Sequence, residues 1–206
     1  MSYCLLMRAR TFTESARRAQ IVTSAIEVIA DVGYAKASFS RIAKHAGLSS
    51  TGMISYHFAG KEDLVAACVA EIDTVLRAYM EPRIEAAVGH VAQLRAYVES
   101  NVAMVGVHPA EVKALIDLVR NAGTQSASVN ARLDLFEEHF RTGQEAGVFR
   151  PFDTRTVALV FASGLDAVVV TAAADLPEPD ELTRLGRELA DLYVRATAPD
   201  PLGGQA

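Results

Sequence analysis

The fold turns on "FSRIAKHAGLSSTGMISYHFAGKEDL", Phe39 to Leu64. Ser38 is a good N-cap, and Phe39, Ile42, Ala43 and Ala46 repeat at i, i+3, i+4 and i+7, so a short helix is expected that Gly47 closes. Ser49 or Ser50 is expected to cap a third helix reaching about His57. A helix-turn-helix needs a small residue where two short helices touch, a glycine in the turn, and apolar anchors on the second helix. Ala43, Gly47, and Ile54 with Phe58 fit those roles, which leaves Ser50, Thr51, Met53, Tyr56 and His57 toward the outside. Such a second helix enters the DNA major groove by its N-terminal residues, where hydroxyls and free backbone N–H groups reach base edges and phosphates. Gly52 costs a helix about 1 kcal/mol relative to alanine, a cost that makes more sense on a surface the DNA backbone approaches than in a scaffold.

Outward from this stretch, helical patterns recur and strand signals are nearly absent. From Glu14 a stripe of Ile21, Ala25, Val28, Ile29 and Val32 runs to Gly33, which closes a first helix. A fourth helix is expected over Lys61 to Tyr79, with Pro82 in the first turn of a fifth. Pro109 opens another that Gly123 ends, and Leu133, Phe136 and Phe140 share a face of the next. Asp153 caps an apolar helix over 156–174, and Leu182, Leu185, Leu189, Leu192 and Tyr193 stripe the last. The expectation is an all-α fold of about nine helices. Its parts are a flexible leader over 1–12, a helix-turn-helix domain over 13–60, an effector-binding and dimerisation domain over 61–198 and a disordered tail over 199–206. Met7 is a candidate alternative start.

The chain has 206 residues, half of them apolar, enough for a substantial core. Its net charge of -5 argues against a nucleic-acid partner until its distribution is read. Residues 1–61 hold eight Lys and Arg against three acids, a surplus of +5, and the remainder carries -10. A basic DNA-facing module joined to an acidic body fits that split. Cys4 and Cys68 have neither metal nor redox spacing, which favours a reducing cytoplasm. "YCLLM" is too short for the apolar region of a signal peptide. Residues 156–174 are long enough to cross a bilayer, but Asp166 sits mid-segment, where a carboxylate costs about 2.5–3.5 kcal/mol. A buried interface helix is the better reading, and no membrane partner is expected.

With these residues in hand, the stretch from helix one through "ASFSRIAKHAGLSS" and "GMISYHFAGKEDL" closely resembles the DNA-binding domain of TetR-family transcriptional regulators. The matching positions are Ser38, Phe39, Ile42, Ala43, Ala46, Gly47, Gly52, Ile54, His57, Phe58, Lys61, Glu62 and Leu64. The resemblance implies phosphate-binding roles for His57 and Lys61, and for Tyr56. The whole candidate DNA-binding set is Arg17, Ser38, Ser40, Arg41, Ser49, Ser50, Thr51, Gly52, Met53, Tyr56, His57 and Lys61. Two departures stand out. Gly47 and Gly52 are five apart where the family has four, so the turn carries an inserted residue, and Ser55 stands where the family commonly has tyrosine, with the aromatic at Tyr56.

One short recognition helix reads little sequence, so paired half-sites and a homodimer are expected. The candidate seam is Val157, Val160, Phe161, Gly164, Val168, Leu182, Leu185, Leu189 and Leu192, on the last two helices. The resemblance implies a ligand-gated repressor. Met80, Met104, Phe136, Phe140 and Phe161 are candidate walls of a site for a small apolar or amphipathic effector, with His108, His139 and Asp166 as polar contacts. His108 and Glu111 lack a third ligand nearby, so neither a metal nor a cofactor is expected. A DNA-binding regulator whose body binds a protein partner is the alternative. An all-helical enzyme is a remote one, for want of a phosphate loop, metal cluster or activated nucleophile.

Overall fold

The computed structural model describes residues 2–122 and 126–199, with only the backbone described for 2–12 and 126–130. Among these residues there are nine α-helices, one 3-10 turn and no strand. They are α1 (Ser2–Val32), the turn Tyr34–Lys36, α2 (Phe39–His45), α3 (Gly52–His57), α4 (Lys61–Glu85), α5 (His90–Val107), α6 (Pro109–Asn121), α7 (Ser126–Glu145), α8 (Thr154–Asp175) and α9 (Pro179–Thr197). The fold is all-α, as the periodicities imply.

Three boundaries differ from the sequence reading. The backbone of α1 is already helical at Ser2, ahead of the expected start at Glu14 and inside the supposed flexible leader. Helix α4 runs unbroken through Pro82. The proline lies in the last turn, so the single hydrogen bond it forgoes is lost where the helix is about to end. The fifth helix therefore starts later, at His90, after Gly89 at φ 88°. Finally α3 starts at Gly52 with Thr51 as its N-cap residue, not Ser49 or Ser50, and no side chain caps it. The extra turn residue moves the start along the chain. Gly123 and most of the tail lie outside the described residues.

The chain divides into two compact units, Met1–Val75 with Ala110–Gly123, and Leu76–Pro109 with Thr124–Ala206. In the first, Ile21, Val22, Ala25, Ile26 and Ile29 of α1 are buried together with Ile42 and Ala43 of α2, Ile54 of α3, and Leu64, Val65, Cys68 and Ile72 of α4. The Cys68 side chain is fully buried beside the Val22 carbonyl, and burial pushes its thiol up to about 12, so it behaves as a small apolar core group. Val112, Ala114 and Leu118 of α6 complete this core.

In the second unit α5 and α9 approach closely. A Cβ on Gly186 would lie 3.4 Å from the Glu99 Cα, and one on Gly106 only 2.8 Å from Leu182 Cδ1, so glycine on each helix permits the approach. Asp153 caps α8 by accepting the Thr156 N–H at 2.7 Å. By length and composition α8 could cross a membrane. Here it is a core helix along one stripe, with Ala158, Phe161, Ala162, Leu165, Val169, Ala172 and Ala173 buried.

Candidate nucleic-acid interface

The helix-turn-helix is held by local bonds that its sequence encodes. Ser38 Oγ accepts the Arg41 N–H at 3.3 Å, so this hydroxyl caps α2. At the other end Leu48 N–H reaches Ala43 O at 2.8 Å and Gly47 N–H reaches Lys44 O at 3.2 Å, with Gly47 at φ 66°. That paired closure is a Schellman motif, and glycine suits its left-handed residue. Ile54 is fully buried and Phe58 2% exposed, so α3 is anchored by its inner face and its end.

That anchoring decides what points out. Ser49, Ser50, Thr51, Gly52, Ser55 and Tyr56 are exposed, and Met53 and His57 half-buried. Among the described residues the hydroxyls of Ser49, Ser50 and Thr51 accept or donate no hydrogen bond within the chain. Gly52 has an ordinary negative φ, and a Cβ there would meet only Ser50 Oγ at 3.4 Å. The fold therefore does not itself need glycine at 52. Ser40, Arg41 and Lys44 are exposed on α2.

Several candidates are tied more tightly than the sequence implies. Lys61 Nζ donates to Tyr34 O at 2.7 Å and sits 4.0 Å from the centre of the Tyr34 ring, so it fastens the start of α4 to the 3-10 turn. It is neither a free cation nor a merely solvated one. Arg17 Nη1 donates to Gln20 Oε1 at 2.7 Å, and Gln20 Nε2 donates to Ala46 O at 2.9 Å, bracing α1 on the end of α2. Tyr56 is 73% exposed, stands edge-on to His57, and donates from its hydroxyl to Glu14 Oε1 at 3.1 Å. Arg18 lies over the Phe58 ring, 4.8 Å from its centre. The roles of Gln20, Glu14 and Tyr34 escaped the sequence reading because each joins residues more than twenty positions apart, and no local spacing signals such a pair.

The other candidates lie in the second unit. Phe136, Phe140 and Phe161 are all buried and meet edge to face, with Phe136–Phe161 centres 4.8 Å apart and Phe140–Phe161 5.7 Å. Met104 is buried and Met80 half-buried, while His108 ends α5 edge-on to Tyr79. Asp166 finds its partner inside the protomer. Arg132 of α7 grips it with two bonds, at 2.9 and 2.5 Å, and the pair reaches solvent. A cleft of about 300 Å³ does exist in this unit, but it is lined by residues of α4, α5 and α9 outside the candidate set. Among the described residues no group of three or more His, Cys, Asp or Glu side chains could hold a metal ion.

The candidate seam is corrected in part too. Phe161 and Leu182 are 1% and 2% exposed, because each fills the protomer's own core. Val160 and Leu192 remain largely exposed, and Leu159, absent from the candidates, joins them. Val157, Gly164, Val168, Leu185 and Leu189 are half-buried. The outward side of α8 and the end of the α9 leucine stripe thus present apolar surface.

Residues 21–68 match the family described as bacterial regulatory proteins, tetR family. The HTH-type transcriptional regulator BetI 1 of Chromohalobacter salexigens is 45% identical over 56 residues, 27% of this chain and 27% of the relative. The regulator BetI of Escherichia coli is 37% identical over 82 residues, 40% of this chain and 42% of the relative. The chain thus matches less than half the length of these curated relatives. The likeness to a solved structure is broader: the fatty acid degradation regulator FadR from Bacillus halodurans shares the fold at a TM-score of 0.71 and 26% identity, over 91% of this chain and 99% of that one. A helix-turn-helix of this build and the family match over it give residues 21–68 the character of a TetR-family DNA-binding region, and the shared fold around it is TetR-like.

Proposed function

We propose that this chain is a homodimeric transcriptional repressor that binds a palindromic operator through α3 and leaves it when a small-molecule effector binds the second unit. The observation that carries the reading is the exposed edge formed by Ser49, Ser50, Thr51, Gly52 and Tyr56, with Met53 half-buried among them, on a helix whose opposite side is anchored by Ile54 and Phe58. Among the described residues the hydroxyls of Ser49, Ser50 and Thr51 lack partners, and hydroxyls with a close-approach glycine suit base-edge and phosphate contact. Ser38, Ser40, Arg41, Arg17, His57 and Lys61 would contribute to phosphate binding or set the pose of α3, and the +5 surplus of residues 1–61 supplies the attraction. The relatives' descriptions as transcriptional regulators support the reading. The protein acts in the cytoplasm and carries no enzymatic activity on this reading.

In this mechanism α4 carries the signal, since it starts at Lys61 beside the 3-10 turn and continues into the second unit. The effector can shift the dimer only by its difference in affinity for the two states. Selection of sheared genomic DNA by the purified protein at about 150 mM salt tests the reading, because at that ionic strength nonspecific phosphate binding is weakened. Recovery of an inverted repeat is expected. Enrichment of no sequence by folded, ligand-free protein would overturn it.

A further inference from the structure

The cleft in the second unit combines features that a packed surface seldom leaves together. It lies along the α5–α9 crossing and under the end of α4, with a volume of about 300 Å³, at the lower end of the range for small-molecule sites. Tyr79 and Arg83 come from α4, Glu99 and Ser100 from α5, and Thr183 and Arg187 from α9, while Ala96 and Ala103 supply apolar surface.

Three of these side chains are arranged for an anion. Ser100 is 4% exposed as a residue and lines the cleft, and its hydroxyl has no hydrogen-bond partner among the described residues, so it is free to donate into the cleft. Among the described residues Arg187 has no hydrogen bond or ion pair either. Its neighbour one turn on, Asp191, is taken instead by Arg95 at 2.5 Å and by Arg195 at 3.8 Å. Other arginines of this unit, among them Arg132, Arg141, Arg155 and Arg184, all face carboxylates. Arg83 is held in a fixed pose over the Tyr79 ring, 3.8 Å from its centre, with a bond to the Tyr79 carbonyl. The one acid in the lining, Glu99, accepts from Arg95 at 3.3 Å, which offsets its charge. Thr183 spends its hydroxyl proton on Pro179 O at 2.9 Å and keeps acceptor capacity only.

We propose that this cleft binds the carboxylate or phosphate group of a small organic anion, gripped by Arg187 and Arg83 and receiving a hydrogen bond from Ser100. Two guanidinium groups and a hydroxyl converging on one oxyanion form charge-assisted bonds, stronger than neutral ones. The alanines and the Tyr79 ring leave room for a short apolar remainder. The assignment deepens the proposed ligand-responsive function, and rests on it only in making the anion an effector.

The test uses the full chain and minimal anions. Inorganic phosphate, acetate and succinate are titrated at constant ionic strength, with backbone amide NMR shifts as the readout. Saturable shifts near Ser100 and Arg187, with affinity in the range of about 1–10 mM for such fragments, are expected. Arg187→Gln should weaken binding by about tenfold or more, and Ser100→Ala should weaken it as well, whereas Arg184→Gln on the same helix should leave it unchanged. A preference for phosphate or for carboxylate would support the site and name the source of the oxyanion. Shifts that grow linearly without saturating, or an equal loss in Arg184→Gln, would overturn the proposal. The titration needs no DNA, so its failure leaves the operator reading intact, and failure of the genomic selection leaves the titration intact.

Discussion

His139 sits in α7 with its Nε2–H donating to His90 O at 3.0 Å, and with the His90 ring 5.3 Å away. Burial holds its pKa below the usual histidine value, and the neighbouring His90 pushes the same way, although the bond to the His90 carbonyl opposes them. The proton is therefore taken up more readily by the unfolded chain. Between the depressed folded value and the ordinary value near 6.5 the unfolded state binds more protons, so stability falls as pH drops through that window. Thermal melting followed from about pH 7.5 to pH 5 should show this loss. His139→Gln keeps a donor for the His90 carbonyl without a titrating group, and its melting temperature should fall less across the same range. An equally steep fall in the variant would assign the pH dependence elsewhere. None of this is legible from the sequence, where His139 is one polar residue between apolar helical positions; its burial depends on Phe140 and Phe149 closing around it.

Among elements, the 3-10 turn Tyr34–Lys36 joins what the chain keeps far apart. Its N-cap residue, Gly33, has no side chain to cap with, and the cap comes from α6, where Asp117 Oδ2 accepts the Tyr34 N–H at 2.5 Å. Asn121 steadies that carboxylate through its Oδ1 at 2.9 Å, and the Tyr34 carbonyl receives Lys61 Nζ. One residue thus links α6 with the start of α4 inside the first unit. Asp117→Ala should cost about 1–2 kcal/mol, the usual loss for a missing cap, measured by chemical denaturation. Asp117→Asn, which retains an acceptor oxygen, should recover much of it. Equal loss in both variants would mean that the carboxylate charge, and not the cap, is what matters. The helices themselves were readable from Gly33, Ser38, Gly47 and Asp153, because caps and closures are set by neighbours in sequence. Pro82 misled for the same reason: its local preference for a helix start lost to a continuous α4 that tolerates it in its final turn.

At the scale of the molecule, α8 and α9 leave apolar residues exposed. Val160 and Leu192 are 63% and 61% exposed, beside Leu159, on helices that are otherwise core elements. Exposed apolar residues of this kind suit the proposed two-fold dimer, which would present two copies of α3 to paired half-sites. Val160→Glu should shift the protein to monomer in sedimentation while leaving the helical signal intact, and should weaken binding to a selected operator at least about tenfold. A variant that stays dimeric would remove α8 from the seam. The charge split of +5 and -10 along the chain would persist in either case, since it belongs to the sequence.

By itself the sequence determined the helical class, the positions of most helix ends and the helix-turn-helix, because periodicity, capping and turn glycines act over a few residues. It also fixed which side of α3 is anchored, through Ile54 and Phe58. Only the tertiary structure decided that Phe136, Phe140 and Phe161 meet edge to face in one buried cluster, that Asp166 belongs to Arg132, and that Lys61 belongs to Tyr34. It alone brought Ser100, Arg83 and Arg187 to one cleft from three helices. Burial and pairing are set by neighbours that meet across the fold, and the separation in sequence between such neighbours carries no periodic signal.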